Sequence, residues 1–214
     1  MTYQKPKEFV DFLRKLDRDD LPGFEAQSRL MPQKAKQHHF PNESEDSRHA
    51  AVLCLLIPSE NELEIVLTVR SKSLTSHKGQ ISFPGGRLEK NESYEQAALR
   101  ETYEEIGVSS NSIQIIGRLS GLMMAHTNVF VQPVIGVTNV QKFDINPDEV
   151  AEVFTLPIKR LLTDKHFNLS DATIRGVEME IPQWDIHPKV PLWGATAMML
   201  SELVELYHRF SEEV

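Results

Sequence analysis

The sequence has one cysteine, Cys54, among 214 residues. A lone thiol cannot form a disulfide within its own chain, so a reducing cytoplasm is the expected setting. Its place in the apolar run "AAVLCLLI" makes Cys54 a small buried hydrophobe rather than a nucleophile. Positive charge is also short, with a formal net charge of −8. That balance argues against general nucleic-acid binding, which relies on basic surface. An anionic substrate would therefore need a local basic site or a metal ion. No apolar run approaches the roughly 20 residues that cross a bilayer. The charged opening "MTYQKPKEFVDFLRKLDRDD" lacks the apolar stretch of a signal peptide. Neither nucleic acid nor membrane is expected as a partner. Internal repeats and low-complexity tracts are missing as well. What is present, 40% hydrophobic and 25% charged residues, suits one globular domain with a sizeable core, or one domain plus additions.

Phe9, Phe12, Leu13 and Leu16 keep helical spacing, which predicts an amphipathic helix over residues 6–18. Residues 33–49 are polar and without period, and read as a loop. His38 and His39 within it are neighbours that share no helix or strand face, so they are read as solvated. The run "HAAVLCLLIP" predicts a strand buried on both faces. "ELEIVLTVR" alternates and predicts its half-exposed partner, with "SEN" as the turn between them. Short strands are expected at "QISFP", "IQIIGRLS" and "VFVQPVIGVT". "DEVAEVFTLPIKRLL" reads as a strand running into a short helix near Pro157, and "HFNLS" with "VEMEIPQW" as a hairpin. A last helix is expected near residues 194–210. Strands dominate and helices interrupt them, so a mixed sheet between helical layers, an α/β fold, is predicted. Residues 1–45 read as a helical extension packed on a main domain of residues 46–214.

One helix breaks the local rules. Ser93 and Gln96 have capping-box spacing and Gly107 supplies a left-handed end, which places a helix from residue 94 to about residue 106. Leu99, Thr102 and Ile106 fall on one face for packing; Ala97, Glu101, Glu104 and Glu105 share another. Like charges at this spacing repel, and carboxylates in a last turn face the negative end of the helix dipole. Arg100 at i,i+4 accounts for Glu104 but not for the other two. The preceding "FPGGR" reads as a turn whose glycines, Gly85 and Gly86, let the backbone approach a ligand. A hard divalent cation bound to carboxylate oxygens and to phosphate would turn the repulsion into a binding site.

Gly86, Glu92, Arg100–Glu101, Glu104–Glu105 and Gly107–Val108 together resemble the signature of the Nudix hydrolases, G-x5-E-x7-R-E-U-x-E-E-x-G-U. Thr102 departs from it, standing where a bulky aliphatic is usual. The resemblance implies an α/β/α sandwich that hydrolyses a diphosphate with Mg²⁺ or Mn²⁺. It implies Glu101 and Glu105 as the main metal ligands, with Glu104 and the Gly86 carbonyl as helpers. Arg100 would hold the carboxylates, and Glu92 would be structural, as would Gly85 and Gly107. The general base is left open among Glu101, Glu104 and Glu149.

Before this box, "VLTVRSKSLTSHKGQISFPGG" carries Arg70, Lys72, His77 and Lys78 with no acid between them. Cations of this kind suit phosphate. Thr68, Arg70, Ser71, Gly79, Phe83, Pro84, Gly85 and Gly86 resemble the element that precedes the box in coenzyme A pyrophosphatases, L-L-T-x-R-S-x3-R-x3-G-x3-F-P-G-G. Thr75 replaces that pattern's second arginine. The resemblance covers about residues 48–210 and implies Arg70, Ser71, His77, Lys78 and Phe83 as substrate contacts. The implied activity is cleavage of coenzyme A or its derivatives to 3′,5′-ADP and a 4′-phosphopantetheine compound. Another nucleotide diphosphate, such as ADP-ribose or NADH, is the alternative, and a nucleotide-binding module without turnover is a third. His126 is read as a loop residue as readily as a substrate contact, and Met123 and Met124 as packing. Trp184 and Trp193 are assigned to the core or to a dimer interface, which leaves a homodimer open.

Overall fold

The computed structural model describes residues 6–36, 46–174 and 176–213. The first helix, α1 (Pro6–Leu13), buries Phe9, Val10 and Leu13. It stops short of the predicted residue 18 because Asp17 and Asp20 form a reciprocal capping box on a separate 3-10 turn at Arg18–Asp20, which redirects the chain. Two short helices follow, α2 (Gly23–Gln27) and α3 (Gln33–Lys36). The predicted loop from residue 33 thus begins with a helical turn. The rest of it, His38 and His39 included, lies outside the described residues.

β1 (Arg48–Pro58) and β2 (Leu63–Arg70) join through a tight turn in which Ser59 N–H donates to Glu62 O at 2.8 Å. They pair only over Leu56–Pro58 and then diverge. The gap is filled by β3 (Ile81–Ser82), paired to β2, and β4 (Gly85–Arg87), paired to β1. "FPGGR" is therefore a strand wedge rather than a free turn. Its glycine character is still required. Gly85 has φ +153°, and a Cβ there would lie 2.4 Å from Ala51 O.

Further along come α4 (Tyr94–Ile106), β5 (Gln114–Arg118), β6 (Leu122–Met124), β7 (Val129–Val137) and β8 (Val150–Pro157). β7 pairs parallel with β1, and β8 pairs antiparallel along the whole of β2, so the sheet is mixed. A separate small sheet holds β9 (Phe167–Ile174), β10 (Val177–Trp184) and β11 (Leu192–Trp193). The chain ends with α5 (Gly194–Glu213).

Residues of β1 alternate between two apolar layers. Ala51, Leu53, Leu55 and Ile57 pack with Ala97, Ala98 and Ile106 of α4. Cys54 and Leu56 pack with α1 and α5 on the other face. This is an α/β/α sandwich. β2 was expected to be half exposed, yet Leu63, Ile65, Leu67 and Val69 face one layer while Val66 faces the other. β8 beside it and helices on both faces leave it little solvent. Burial pushes the Cys54 thiol up to about 12, which keeps it protonated and inert. Trp184 is a core residue, Trp193 is half-buried, and Met124 packs against the same core.

One N-terminal helix, α2, is fastened by a buried carboxyl group. Glu202 of α5 is fully buried and accepts from Gly23 N–H at 3.1 Å, Gln27 Nε2 at 3.0 Å and Ser120 N–H at 3.1 Å. Gln27 Nε2 also donates to Ser120 O at 3.0 Å.

Candidate active site

α4 begins as predicted, with Ser93 Oγ accepting from Gln96 N–H at 3.2 Å and Gln96 Oε1 accepting from Ser93 N–H at 2.8 Å. It ends at Gly107, with φ +71°. Thr102 is fully buried, and its hydroxyl donates to Ala98 O at 2.6 Å. Leu99, placed on the packing face, is only half-buried.

Arg100 organises the acids. Its Nε and Nη2 donate to the two Glu92 oxygens at 2.8 and 3.0 Å. Its Nη1 donates to Glu101 at 2.9 Å and to Glu104 at 3.0 Å. Nη2 also reaches Arg87 O at 3.0 Å, so all five guanidinium donors are used. The Glu92 carboxyl, bonded to Arg100, is held below the usual carboxylate range.

Glu101, Glu105 and Glu149 each place a carboxylate oxygen within 4.8 Å of the others. Glu105 is buried, with 2% of its surface exposed. That burial, opposed by Arg70 and reinforced by Glu101, pushes its carboxyl up to about 8. Glu101 is also raised, again chiefly by burial. Gly85 N–H donates to Glu105 Oε2 at 3.3 Å. The Arg70 guanidinium stands 3.7 Å from Glu105 Oε1, and its Nε is buried without a partner.

Three carboxylates face one another, with Arg100 bonded to Glu101 and the Arg70 guanidinium at a looser distance from Glu105, and the cluster's ligand atoms are all oxygen. Such a set fits Mg²⁺ or Mn²⁺ rather than a soft ion. Glu104 is not part of it. It turns to Arg100 with about half its side chain exposed, because its position on α4 points away from the sheet. Glu149 takes that place from a turn before β8. Gly86 contributes a missing side chain, since a Cβ there would lie 2.3 Å from Glu101 Oε1.

The model of the NUDIX domain matches residues 47–175. The chain belongs to the Nudix hydrolase family. "Nudix hydrolase 3" of Caenorhabditis elegans is 30% identical over 190 residues, 80% of this chain and 78% of that protein. The same organism's "Peroxisomal coenzyme A diphosphatase ndx-8" is 32% identical over 165 residues, 74% of this chain and 68% of that protein. A Nudix hydrolase from M. smegmatis, RenU, has the same fold, with TM-score 0.53 and 18% identity over 76% of this chain and 88% of that one.

Around the Nudix box, the basic stretch divides. Arg70 ends β2 beside Glu105, while Lys72, Thr75, His77 and Lys78 are exposed on the following loop. His77 Nδ1 lies 2.9 Å from Gln80 Oε1, and its φ is +55°. Ser71 is buried, its N–H donating to Glu149 O at 2.8 Å. Phe83 corrects the expected substrate contact: it is 1% exposed within the apolar core, where aromatic area has greater use than at a wet site. His126 lies exposed in the turn between β6 and β7. The Nudix signature does not include Glu149. The sequence offers it as a candidate general base only, and its place in the carboxylate cluster follows from the pairing of β8 with β2.

Proposed function

We propose that this Nudix hydrolase cleaves the diphosphate of coenzyme A or its derivatives. The observation that carries the reading is the Glu101–Glu105–Glu149 cluster with Arg70 beside it, at the start of an acid-free basic loop. The C. elegans relative named as a coenzyme A diphosphatase supports the substrate class. Glu101, Glu105 and Glu149 would hold Mg²⁺ or Mn²⁺. When bound, the ion supplies charge neutralisation of the diphosphate and a lowered pKa for water.

The chain's own residues do the rest. Arg100 keeps Glu101 and Glu104 in fixed orientation, and Glu92 keeps Arg100 in place. Arg70, with its unpartnered Nε, contacts the diphosphate itself. Lys78 and His77 on the exposed loop are left to meet the 3′-phosphate. A water oxygen bonds to one phosphorus as that phosphorus loses the bridging oxygen, and one of Glu101, Glu104 and Glu149 takes the water's proton. The products are 3′,5′-ADP and 4′-phosphopantetheine, or its acyl form. Among the described residues no helix is long and apolar enough to cross a membrane, and we place the enzyme in the cytoplasm.

The test is a side-by-side incubation with coenzyme A, ADP-ribose and NADH, with Mg²⁺ and with Mn²⁺, read by mass spectrometry. Coenzyme A should be consumed fastest, releasing 3′,5′-ADP. Faster turnover of ADP-ribose or NADH moves the substrate to that class. No turnover of any of them with either ion leaves a nucleotide-binding module.

A further inference from the structure

Two of the three clustered carboxylates sit on α4, where helix geometry fixes them. The third, Glu149, sits in a turn, so something else must hold it. Asn146 starts that turn, its N–H donating to Glu105 O at 3.0 Å. Its carbonyl accepts from Glu149 N–H at 3.1 Å and from Val150 N–H at 2.9 Å. Its side-chain Oδ1 accepts from Asp148 N–H at 3.2 Å, and its Nδ2 lies 3.5 Å from Glu149 Oε1. One residue therefore ties the turn both to the last turn of α4 and to the Glu149 carboxylate.

The other side of the turn is held by the substrate loop. Ser71 N–H donates to Glu149 O at 2.8 Å. Ser73 Oγ donates to Asp148 O at 2.8 Å and lies 2.9 Å from Ser71 Oγ. With one proton on each hydroxyl, Ser73 gives its own to Asp148 and accepts that of Ser71. Ser71 Oγ in turn faces Ser73 N–H at 3.4 Å. Residues 148 and 149 are thus bonded to the segment that immediately follows Arg70.

We infer that Asn146 and Ser73 are positioning residues for the Glu149 carboxylate, fixing the arm of the metal cluster that the acidic helix does not carry. The inference rests on the reading of Glu149 as a metal ligand. Loss of a partner that touches a ligand directly, as Asn146 touches Glu149, changes metal affinity or activity by about 10–100-fold; Ser73 acts at one remove, through the Asp148 carbonyl.

The experiment is a calorimetric titration of the full chain with Mn²⁺ in the absence of substrate, alongside steady-state kinetics on coenzyme A. Asn146→Ala should weaken Mn²⁺ binding by about tenfold and Ser73→Ala measurably but by less, and both should lower kcat more than they alter KM. Ser73→Thr keeps the hydroxyl and should bind Mn²⁺ as wild type does. In a Glu149→Gln background both losses should vanish, since residues acting through one group are not additive. If Asn146→Ala does not fold, by its urea midpoint, Ser73→Ala and its threonine rescue decide alone. Equal losses with and without Glu149, or unchanged Mn²⁺ affinity in both alanine variants, would overturn the positioning role while leaving Glu149 as a ligand. If Glu149→Gln by itself leaves Mn²⁺ affinity intact, the ligand reading fails and the positioning role goes with it.

Discussion

The Glu101 carboxylate occupies the space above Gly86 that any side chain would need, with only 2.3 Å between Oε1 and a Cβ built at residue 86. The glycine therefore admits one of the protein's own carboxylates, the one proposed to hold the ion.

Gly86→Ala should leave the fold standing, because the Glu101 side chain can swing aside. The swing moves one arm of the cluster. Turnover on coenzyme A should fall by about a hundredfold or more, as for loss of one transition-state contact. Mn²⁺ titration should show weaker binding, with the urea midpoint close to wild type.

The pH dependence of the metal-free protein follows from Glu105. Its carboxyl is raised to about 8 from an ordinary 4.5. Between those values the folded chain holds a proton that the unfolded chain has released. Stability therefore falls as pH rises through this window, and Glu101, also raised by burial, adds the same sign. Melting temperatures at pH 6 and pH 8.5 should show the loss in wild type and a flatter response in Glu105→Gln. Mg²⁺ takes the proton's place, so its stabilising effect should be larger at the higher pH. Glu105→Gln should also lose at least about a hundredfold in turnover.

The sequence makes Arg70 a substrate contact without deciding which phosphate it meets, and its guanidinium stands at Glu105, beside the carboxylate cluster. Arg70→Ala should therefore cut kcat/KM equally on coenzyme A and dephospho-coenzyme A. A charge-assisted contact of about 1.5–3 kcal/mol gives a loss of roughly ten- to a hundredfold. Lys78→Ala should affect coenzyme A alone, by less. A loss on coenzyme A only in Arg70→Ala would instead assign Arg70 to the 3′-phosphate.

Thr102 is the one signature position out of pattern, and its hydroxyl only doubles up on a helix carbonyl. Thr102→Val should preserve activity and change stability by no more than about 1 kcal/mol, in either direction. Urea unfolding and a coenzyme A assay check both halves.

The acidic helix was readable because its signals are local: a capping box at Ser93 and Gln96, a glycine end, and charge spacing along one face. The strand order was not, and three site assignments turned on it. Glu149 joins the cluster because β8 returns beside β2, a pairing that brings Glu149 O to Ser71 N–H. Phe83 goes to the core because β3 is wedged between diverging strands. Glu104 and Glu105 are adjacent in sequence, but only the second faces the sheet. α1 ended early for a local reason after all, the Asp17–Asp20 box, masked by the apolar period running on to Leu16.

Glu202 binds α5, α2 and the link between β5 and β6 into one polar knot. The carboxyl is fully buried and depends on these donors, so a change in any one of the three elements leaves polar atoms of the others unpaired. Relatives that lack a glutamate at this place should also lack the glutamine and the tight glycine turn that meet it, the three changing together or not at all. The front of the chain is thereby tied to its last helix, although nearly the whole sequence separates them.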